Sequence, residues 1–140
     1  MIINWDLNIR KSTLETLCNV KIVNGELDLW NCKNLVDLGD LERVVGTITA
    51  EETNITSLGK LKIVRGNVFL INCVNLTSLG NLQIVYGYLN LYGCKNLKDL
   101  GKLKAVIGKI SIGQSGITND YIFKNKKEYL FGGESKWIVY

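Results

Sequence analysis

The chain has 140 residues, of which 46 % are hydrophobic and 21 % are charged, and this composition is typical of a single folded domain with a sizeable core. It contains no histidine, which excludes imidazole general bases, serine–histidine–acid triads and histidine metal ligands. It contains no proline either, and its formal net charge is +4.

The amino terminus begins with Met1 and lacks the basic start and long apolar run of a secretory signal. No stretch is apolar for long enough to cross a bilayer. Four cysteines are too few for a disulfide scaffold in a chain of this length. We therefore expect a cytoplasmic protein that has no membrane partner, and we expect its cysteines to be reduced.

A repeat of 20–21 residues runs through most of the chain, and such a period is typical of solenoids. It shows as two glycine columns and one leucine column. The columns are Gly25, Gly46, Gly66, Gly87 and Gly108; Gly39, Gly59, Gly80 and Gly101, with Cys18 in the equivalent place; and Leu17, Leu38, Leu58, Leu79 and Leu100. We expect the glycines at corners, where they allow a positive φ or a close backbone approach.

Each repeat holds two apolar segments with the spacing of a strand and has no room for a helix of ten or more residues. One is a Leu-x-Leu pair such as Leu27 and Leu29, and the other is a pair such as Leu41 and Val44 on the opposite side of the coil. Alternation points the first pair inward and the residues between outward. The sequence therefore predicts a mainly β fold, a parallel β-solenoid of about six turns of 20–21 residues.

The two ends of the chain depart from the repeat. Residues 1–16 are a degenerate copy, which we expect to be the capping turn of a solenoid that covers residues 1–117. Thr118 is a candidate N-cap for a short helix, and residues 136–140 have the pattern of a closing strand. We expect residues 118–140 to form a C-terminal cap, because an open solenoid end leaves strand edges unpaired.

The pattern Leu-x-Leu-x-x-Cys-x-x-Leu, as in residues 27–35, resembles the leucine-rich repeat. The Val-x-Gly-x-Leu-x-Leu stretch at residues 85–91 is similar to the repeat of receptor L domains. The resemblance covers about residues 14–117, and it departs from the family in its short unit, which leaves no room for a helix on the convex side. The resemblance implies binding, usually of protein, on the exposed face of the Leu-x-Leu sheet.

Alternation leaves an outward face on this sheet, and bulky apolar side chains occupy part of it. They are Trp30, Phe69, Ile71, Tyr88 and Tyr92, four of which lie on two adjacent turns. The charged residues that we single out are Glu26, Asp28 and Glu51 at one end and Lys109 at the other. A contiguous aromatic cluster is typical of an interface. The alternative is that the C-terminal segment covers this face.

The leading hypothesis is a small binding module without enzymatic activity, metal or cofactor: an adaptor or inhibitor, bacterial or phage, that binds a protein partner through this face. An alternative is nucleic-acid binding, because residues 57–140 carry twelve basic and four acidic side chains, against five and nine in residues 1–56. The basic residues concerned are Lys60, Lys62, Arg65, Lys95, Lys98, Lys102, Lys104, Lys109, Lys124, Lys126 and Lys127. A third hypothesis is a carbohydrate-active solenoid, because parallel solenoids can host such activity; the candidate carboxylates are Glu51 with Glu52, or Glu26 with Asp28 and Glu51 on one face.

Two further columns are polar. One contains Cys32, Thr53, Cys73, Cys94 and Ser115, and the other contains Asn34, Asn54, Asn75 and Asn96. Cysteine, threonine and serine share small size and polarity but not redox chemistry, so we expect the first column to bond the backbone at a bend rather than bind metal. We expect the asparagines to form a ladder that satisfies backbone groups between turns.

Overall fold

A computed structural model of the chain describes residues 1–125 and 137–138. Within these residues the chain is mainly β and coils into a parallel β-solenoid of about five turns, bounded by two parallel sheets. The predicted fold class is therefore confirmed. No helix in the described part of the chain combines the length and the apolar character that crossing a membrane requires.

The strands contain two residues each, because the chain turns a corner soon after each inward side chain. In chain order they are β1 (Ile2–Ile3), β2 (Leu7–Asn8), β3 (Ile22–Val23), β4 (Leu27–Asp28), β5 (Arg43–Val44), β6 (Ile48–Thr49), β7 (Ile63–Val64), β8 (Val68–Phe69), β9 (Ile84–Val85), β10 (Leu89–Asn90), β11 (Ala105–Val106), β12 (Ile110–Ser111) and β13 (Trp137–Ile138).

The even-numbered strands and β13 form one sheet, here called the Leu-x-Leu sheet, in the order β13-β12-β10-β8-β6-β4-β2. The other odd-numbered strands form a second sheet, here called the valine sheet, in the order β1-β3-β5-β7-β9-β11. Every pairing is parallel, and all except that of β12 with β13 join a residue to its repeat equivalent, so that Ile48 pairs with Leu27 and with Val68. The 20–21-residue period of the sequence is thus the register of both sheets.

The core lies between the two sheets and consists of the columns that the sequence predicts to point inward. Leu27, Ile48 and Val68 from one sheet and Val44 and Val64 from the other have no exposed surface. These residues belong to one continuous hydrophobic cluster. No single turn could bury its apolar residues alone, so the stacking of turns creates the core.

The two glycine columns form corners for two different physical reasons. Gly59 has a φ of +55°, in the left-handed region that side chains with a Cβ rarely adopt, and Cys18 in the same column has a φ of 51°. At Gly66 the reason is space, since a Cβ there would lie 2.5 Å from the carbonyl carbon of Gly46 and 2.6 Å from the amide nitrogen of Thr47. Both expected roles of glycine therefore occur, and the column of Gly59 also shows close approach, because a Cβ at Gly101 would lie 2.5 Å from the carbonyl oxygen of Gly80.

The helix α1 (Asn119–Asn125) follows the last described turn of the solenoid. Thr118 caps it as the sequence predicts, because its Oγ1 accepts a hydrogen bond of 3.1 Å from the amide of Tyr121. The Tyr121 hydroxyl in turn accepts a hydrogen bond of 3.0 Å from the amide of Leu100, and Ile122 is buried. Strand β13 pairs with β12 at the end of the Leu-x-Leu sheet. The helix is therefore fixed to the solenoid by contacts of its own.

We predict that Gly66→Ala destabilises the protein more than Gly59→Ala. At Gly59 the added methyl group meets nothing within 4 Å, so only the positive φ is penalised, by about 1–2 kcal/mol. At Gly66 the methyl group would overlap the backbone of the preceding turn, and the turns must move apart. Urea denaturation of both variants measures the difference, and equal losses in the free energy of unfolding would contradict this account of the corners.

Candidate functional site

The outer face of the Leu-x-Leu sheet presents three outward residues in each turn. The central row follows the strand register and contains Asn8, Asp28, Thr49, Phe69, Asn90 and Ser111. The backbone ladder continues past the strands on both sides, since the amide of Leu7 donates to the Glu26 carbonyl and the amide of Lys11 donates to the Trp30 carbonyl. This ladder holds the three rows together as one regular surface.

Four bulky residues form a contiguous patch on two adjacent turns of this face. We call Phe69, Ile71, Tyr88 and Tyr92 the aromatic cluster, and all four are half-buried. The Phe69 and Tyr88 rings meet edge to face, with centroids 6.0 Å apart and an angle of 87° between the ring planes. Such ring pairs contribute about 0.5–1.5 kcal/mol of stabilisation in addition to the burial of their surface area. The contact therefore stabilises the orientation of both rings in the free protein.

Two asparagines fix the backbone beneath the cluster. The Asn67 side-chain oxygen accepts a hydrogen bond of 2.9 Å from the amide of Tyr88. The Asn90 side-chain oxygen accepts a hydrogen bond of 3.0 Å from the amide of Tyr92. These hydrogen bonds fix the backbone of Tyr88 and Tyr92 before a partner binds. Binding therefore removes less conformational freedom from the two residues.

Trp30 lies on the same face but apart from the aromatic cluster, because a turn carrying Thr49 and Glu51 lies between them. Its ring is covered by cations instead: Arg10 Cζ is 4.8 Å from the ring centroid and Lys11 Nζ is 5.1 Å from it. Arg10 also forms an ion pair of 3.5 Å with Asp28. The structure therefore places Trp30 in a separate group at the amino-terminal end of the face.

The charged residues that the sequence singles out also lie on this face. Glu26 and Lys109 are exposed, whereas Asp28 and Glu51 are half-buried. Burial raises the pKa of the Glu51 carboxyl above its ordinary value, and the neighbouring Glu52 and Asp28 carboxylates raise it further. Acidic groups thus gather at one end of the face, and the side chain of Lys109 stands on the last turn.

The exposed outer face of the Leu-x-Leu sheet ends at the last turn of the solenoid. Ser111 occupies an outward position in the last turn, yet it is only 2 % exposed, and its neighbour in the sheet is Ile138 of β13. The alternative that the C-terminal segment covers the whole face concerns residues 126–136 and 139–140, which lie outside the described residues.

The cysteine column bonds the backbone as the sequence predicts. The thiols of Cys32, Cys73 and Cys94 donate to the carbonyl oxygens of Ile9, Ala50 and Leu70 in the preceding turn, at 3.1, 3.0 and 3.0 Å. The hydroxyls of Thr53 and Ser115 reach carbonyl oxygens of their own turns, at 2.9 and 2.6 Å. All four cysteines of the chain are free thiols, and a hydrogen bond with the Cys73 thiol, together with burial, raises the pKa of Cys94.

The asparagine column is a ladder between turns. Asn54 donates to the carbonyl of Lys33 at 2.6 Å, and Asn96 donates to the carbonyl of Val74 at 2.7 Å. Asn75 donates to the side chain of Asn54 at 3.1 Å. These amides satisfy groups at the corner that follows the Leu-x-Leu sheet, and this is the structural role that the sequence predicts.

The basic residues of the carboxyl-terminal half do not share one surface. Lys60 forms an ion pair of 2.6 Å with Asp40 at a corner, whereas Lys62 lines a groove on the valine sheet. Lys95 and Lys98 are exposed near the asparagine ladder, and Lys109 is on the Leu-x-Leu sheet. Lys126 and Lys127 lie outside the described residues. The described cations of this half therefore lie on several surfaces of the solenoid.

Comparison with known proteins adds no relative from which a function could be transferred. No family model, curated protein or solved structure matches the chain. The solenoid is therefore established by the structure itself, and function has to be argued from the chemistry of its surfaces.

We predict that Glu51→Gln raises the melting temperature at neutral pH. Since burial raises the pKa of Glu51, its ionised form is less favourable in the folded state, and the neutral amide avoids that cost. The advantage is absent at a pH below the ordinary glutamate pKa, where both side chains are uncharged, grows as the pH rises from that value to the raised folded-state pKa, and is constant above it. Thermal melts of both proteins between pH 3.5 and 7.5 measure it, and a constant difference across that range would argue against this electrostatic environment.

Proposed function

We propose that this protein is a non-enzymatic binding module that recognises another protein through the aromatic cluster. The observation that carries the proposal is the contiguity of Phe69, Ile71, Tyr88 and Tyr92 on a regular outer face, where alternation gives them no place in the core. Soluble proteins rarely expose such patches without a use, and aromatic residues supply most of the energy at interfaces.

The charges around the cluster support a directional mode of binding. The carboxylates of Glu26, Asp28 and Glu51 lie towards the amino-terminal end, and Lys109 lies beyond the cluster at the other end. A partner with a basic segment next to an apolar one would bind in one orientation only. Such peripheral charges act on orientation and association rate more than on affinity.

We also propose that the repeat is a short form of the leucine-rich repeat. The support is geometric: the leucines of the pattern fill inward columns, and the cysteine and asparagine of the pattern bond the backbone of the preceding turn. On this proposal the shortened unit replaces a convex helix by the valine sheet, which buries a second set of apolar side chains against the first.

We propose a cytoplasmic location, because Cys32, Cys73 and Cys94 use their thiol hydrogens as donors in the core, which suits a reducing compartment. We predict that alkylation of the denatured protein, after rapid acid quenching of cells that make it, modifies all four cysteines. Mass spectrometry counts the adducts. A molecule that lacks two adducts and gains them after reduction would show a native disulfide and would contradict the proposal.

We predict that the double variant Phe69→Ala with Tyr92→Ala captures its protein partner from native lysate at least about tenfold less well than the parent protein, because aromatic anchors each contribute about 2 kcal/mol or more. The control is Trp5→Ala with Leu14→Ala, which removes two exposed apolar side chains, one aromatic and one aliphatic, that lie outside the aromatic cluster. Quantitative mass spectrometry of the retained proteins gives the ratio, and circular dichroism confirms that both variants remain folded. Equal capture by both variants would refute the assignment of this face.

A further inference from the structure

The outer face of the valine sheet has an apolar column of its own. The register aligns Ile2, Ile22, Arg43, Ile63, Ile84 and Ala105 on successive strands. Five of these six side chains are aliphatic, and the exception, Arg43, places a guanidinium group between Ile22 and Ile63. Bulky residues flank the column, and Tyr86 and Ile107 among them are 47 % and 44 % exposed.

This face is strongly basic, and its cations form no ion pair with a described residue. Five cations and one carboxylate lie on the column or beside it. They are Lys21, Arg43, Lys62, Arg65 and Lys104, with Glu42 as the single acid. The described part of the chain contains three ion pairs, Arg10 with Asp28, Lys33 with Glu52 and Lys60 with Asp40, and none of them involves a cation of this face.

The cations and the aliphatic column meet in a shallow groove. Its lining consists of Ile22, Glu42, Arg43, Lys62 and Ile63, and its volume is about 220 Å³. The Nε atom of Arg43 is buried and has no hydrogen-bond partner among the described residues. A guanidinium group bonds carboxylates in a planar, two-pronged geometry, and an acceptor beside Arg43 would offset the cost of its partial burial.

We propose that the outer face of the valine sheet is a second docking surface, which takes an acidic polypeptide segment and places a carboxylate in the groove between Arg43 and Lys62. Charge complementarity identifies the occupant, because five cations that form no ion pair with a described residue, against one acid, repel a second copy of the same face and attract an acidic chain. The aliphatic column accepts the apolar residues between the acidic ones.

Two other anionic partners fit this face less well. A single-stranded nucleic acid requires aromatic platforms for its bases, whereas this column is aliphatic and its one aromatic neighbour, Tyr86, is near the Arg65 guanidinium at 5.9 Å. An anionic membrane presents a flat layer of headgroups, whereas the groove lies between side chains of adjacent turns and suits a single inserted side chain.

The position of this surface extends the proposed function without depending on it. The two sheets are separate faces of the solenoid and share no strand, so a segment on the valine sheet would leave the aromatic cluster free. A solenoid with an aromatic face on one side and a basic face on the other would hold two different proteins together.

The test is a titration of the ¹⁵N-labelled protein, followed by NMR, with a synthetic peptide in which leucine and glutamate alternate. The matched probe replaces every glutamate by glutamine. We expect the acidic peptide to shift the amide signals of Ile22, Arg43 and Ile63 and to leave those of Phe69 and Tyr92 in place. We expect the glutamine peptide to bind at least about tenfold more weakly.

The variant for this test is Arg43→Ile with Lys62→Gln. Isoleucine at position 43 continues the aliphatic column, so the variant should fold, and its loss of two positive charges should weaken peptide binding at least about tenfold. The control is Lys95→Gln with Lys98→Gln, which removes the same charge at two exposed positions of another surface and should bind as the parent does.

Four outcomes would overturn the proposal. They are equal losses in the variant and its control, shifts that map to the aromatic cluster, no response to the peptide, and a response at Arg43 to phosphatidylserine vesicles or to an oligothymidine strand in place of the peptide. The double variant at Phe69 and Tyr92 separates the two proposals, because it should still bind the acidic peptide normally. Failure of one face would then leave the other untouched.

Discussion

The parallel ladder between successive turns is the constraint on which the rest of the structure depends. Each residue must lie over its equivalent in the preceding turn, about one strand spacing away, so the chain has to close a turn every 20 or 21 residues. Gly66 shows how closely the turns approach, because even a methyl group there would overlap the backbone of Gly46 and Thr47. The buried columns of leucine and valine follow from this stacking, and no turn has a core without its neighbours.

The parts of the molecule that repeat could be predicted from the sequence, because the ladder prescribes the same residue type at equivalent positions. The inward columns, both glycine corners and the asparagine ladder are of this kind. A further corner column with positive φ was not predicted, because it contains residues as different as Lys11, Asn31 and Glu52. In that column Gly93, and less strongly Asn31 and Asn72, are of the residue types usual in the left-handed region, whereas Lys11, Glu52 and Gln114 are not.

The candidate site was harder to predict, because outward residues do not obey the repeat. Alternation places Phe69 and Tyr88 on the outer face, but the edge-to-face contact of their rings depends on side-chain orientation, which spacing does not give. Trp30 belongs to the same face, yet Arg10 and Lys11 cover its ring, and the sequence alone did not separate it from the aromatic cluster. The isoleucine column of the valine sheet was not predicted, because the inward pair of the second apolar segment, such as Leu41 and Val44, is three residues apart, and strict alternation does not assign a face to the residues between.

The hydrogen-bonded ladder does not prescribe the residue type at outward positions, so the residues found there are informative about function. A column that only has to shield the backbone can carry the same aliphatic residue in every turn, as Ile22, Ile63 and Ile84 do. Arg43 interrupts that column with a side chain that is harder to bury, and nothing among the described residues accepts a hydrogen bond from its Nε. The aromatic cluster is likewise confined to two turns, whereas other turns place Asp28 or Thr49 in the row of Phe69. These turns would fold equally well with the residue that is common in their column, so the fold does not explain such turn-specific departures. The proposed binding on the two sheet faces would explain them.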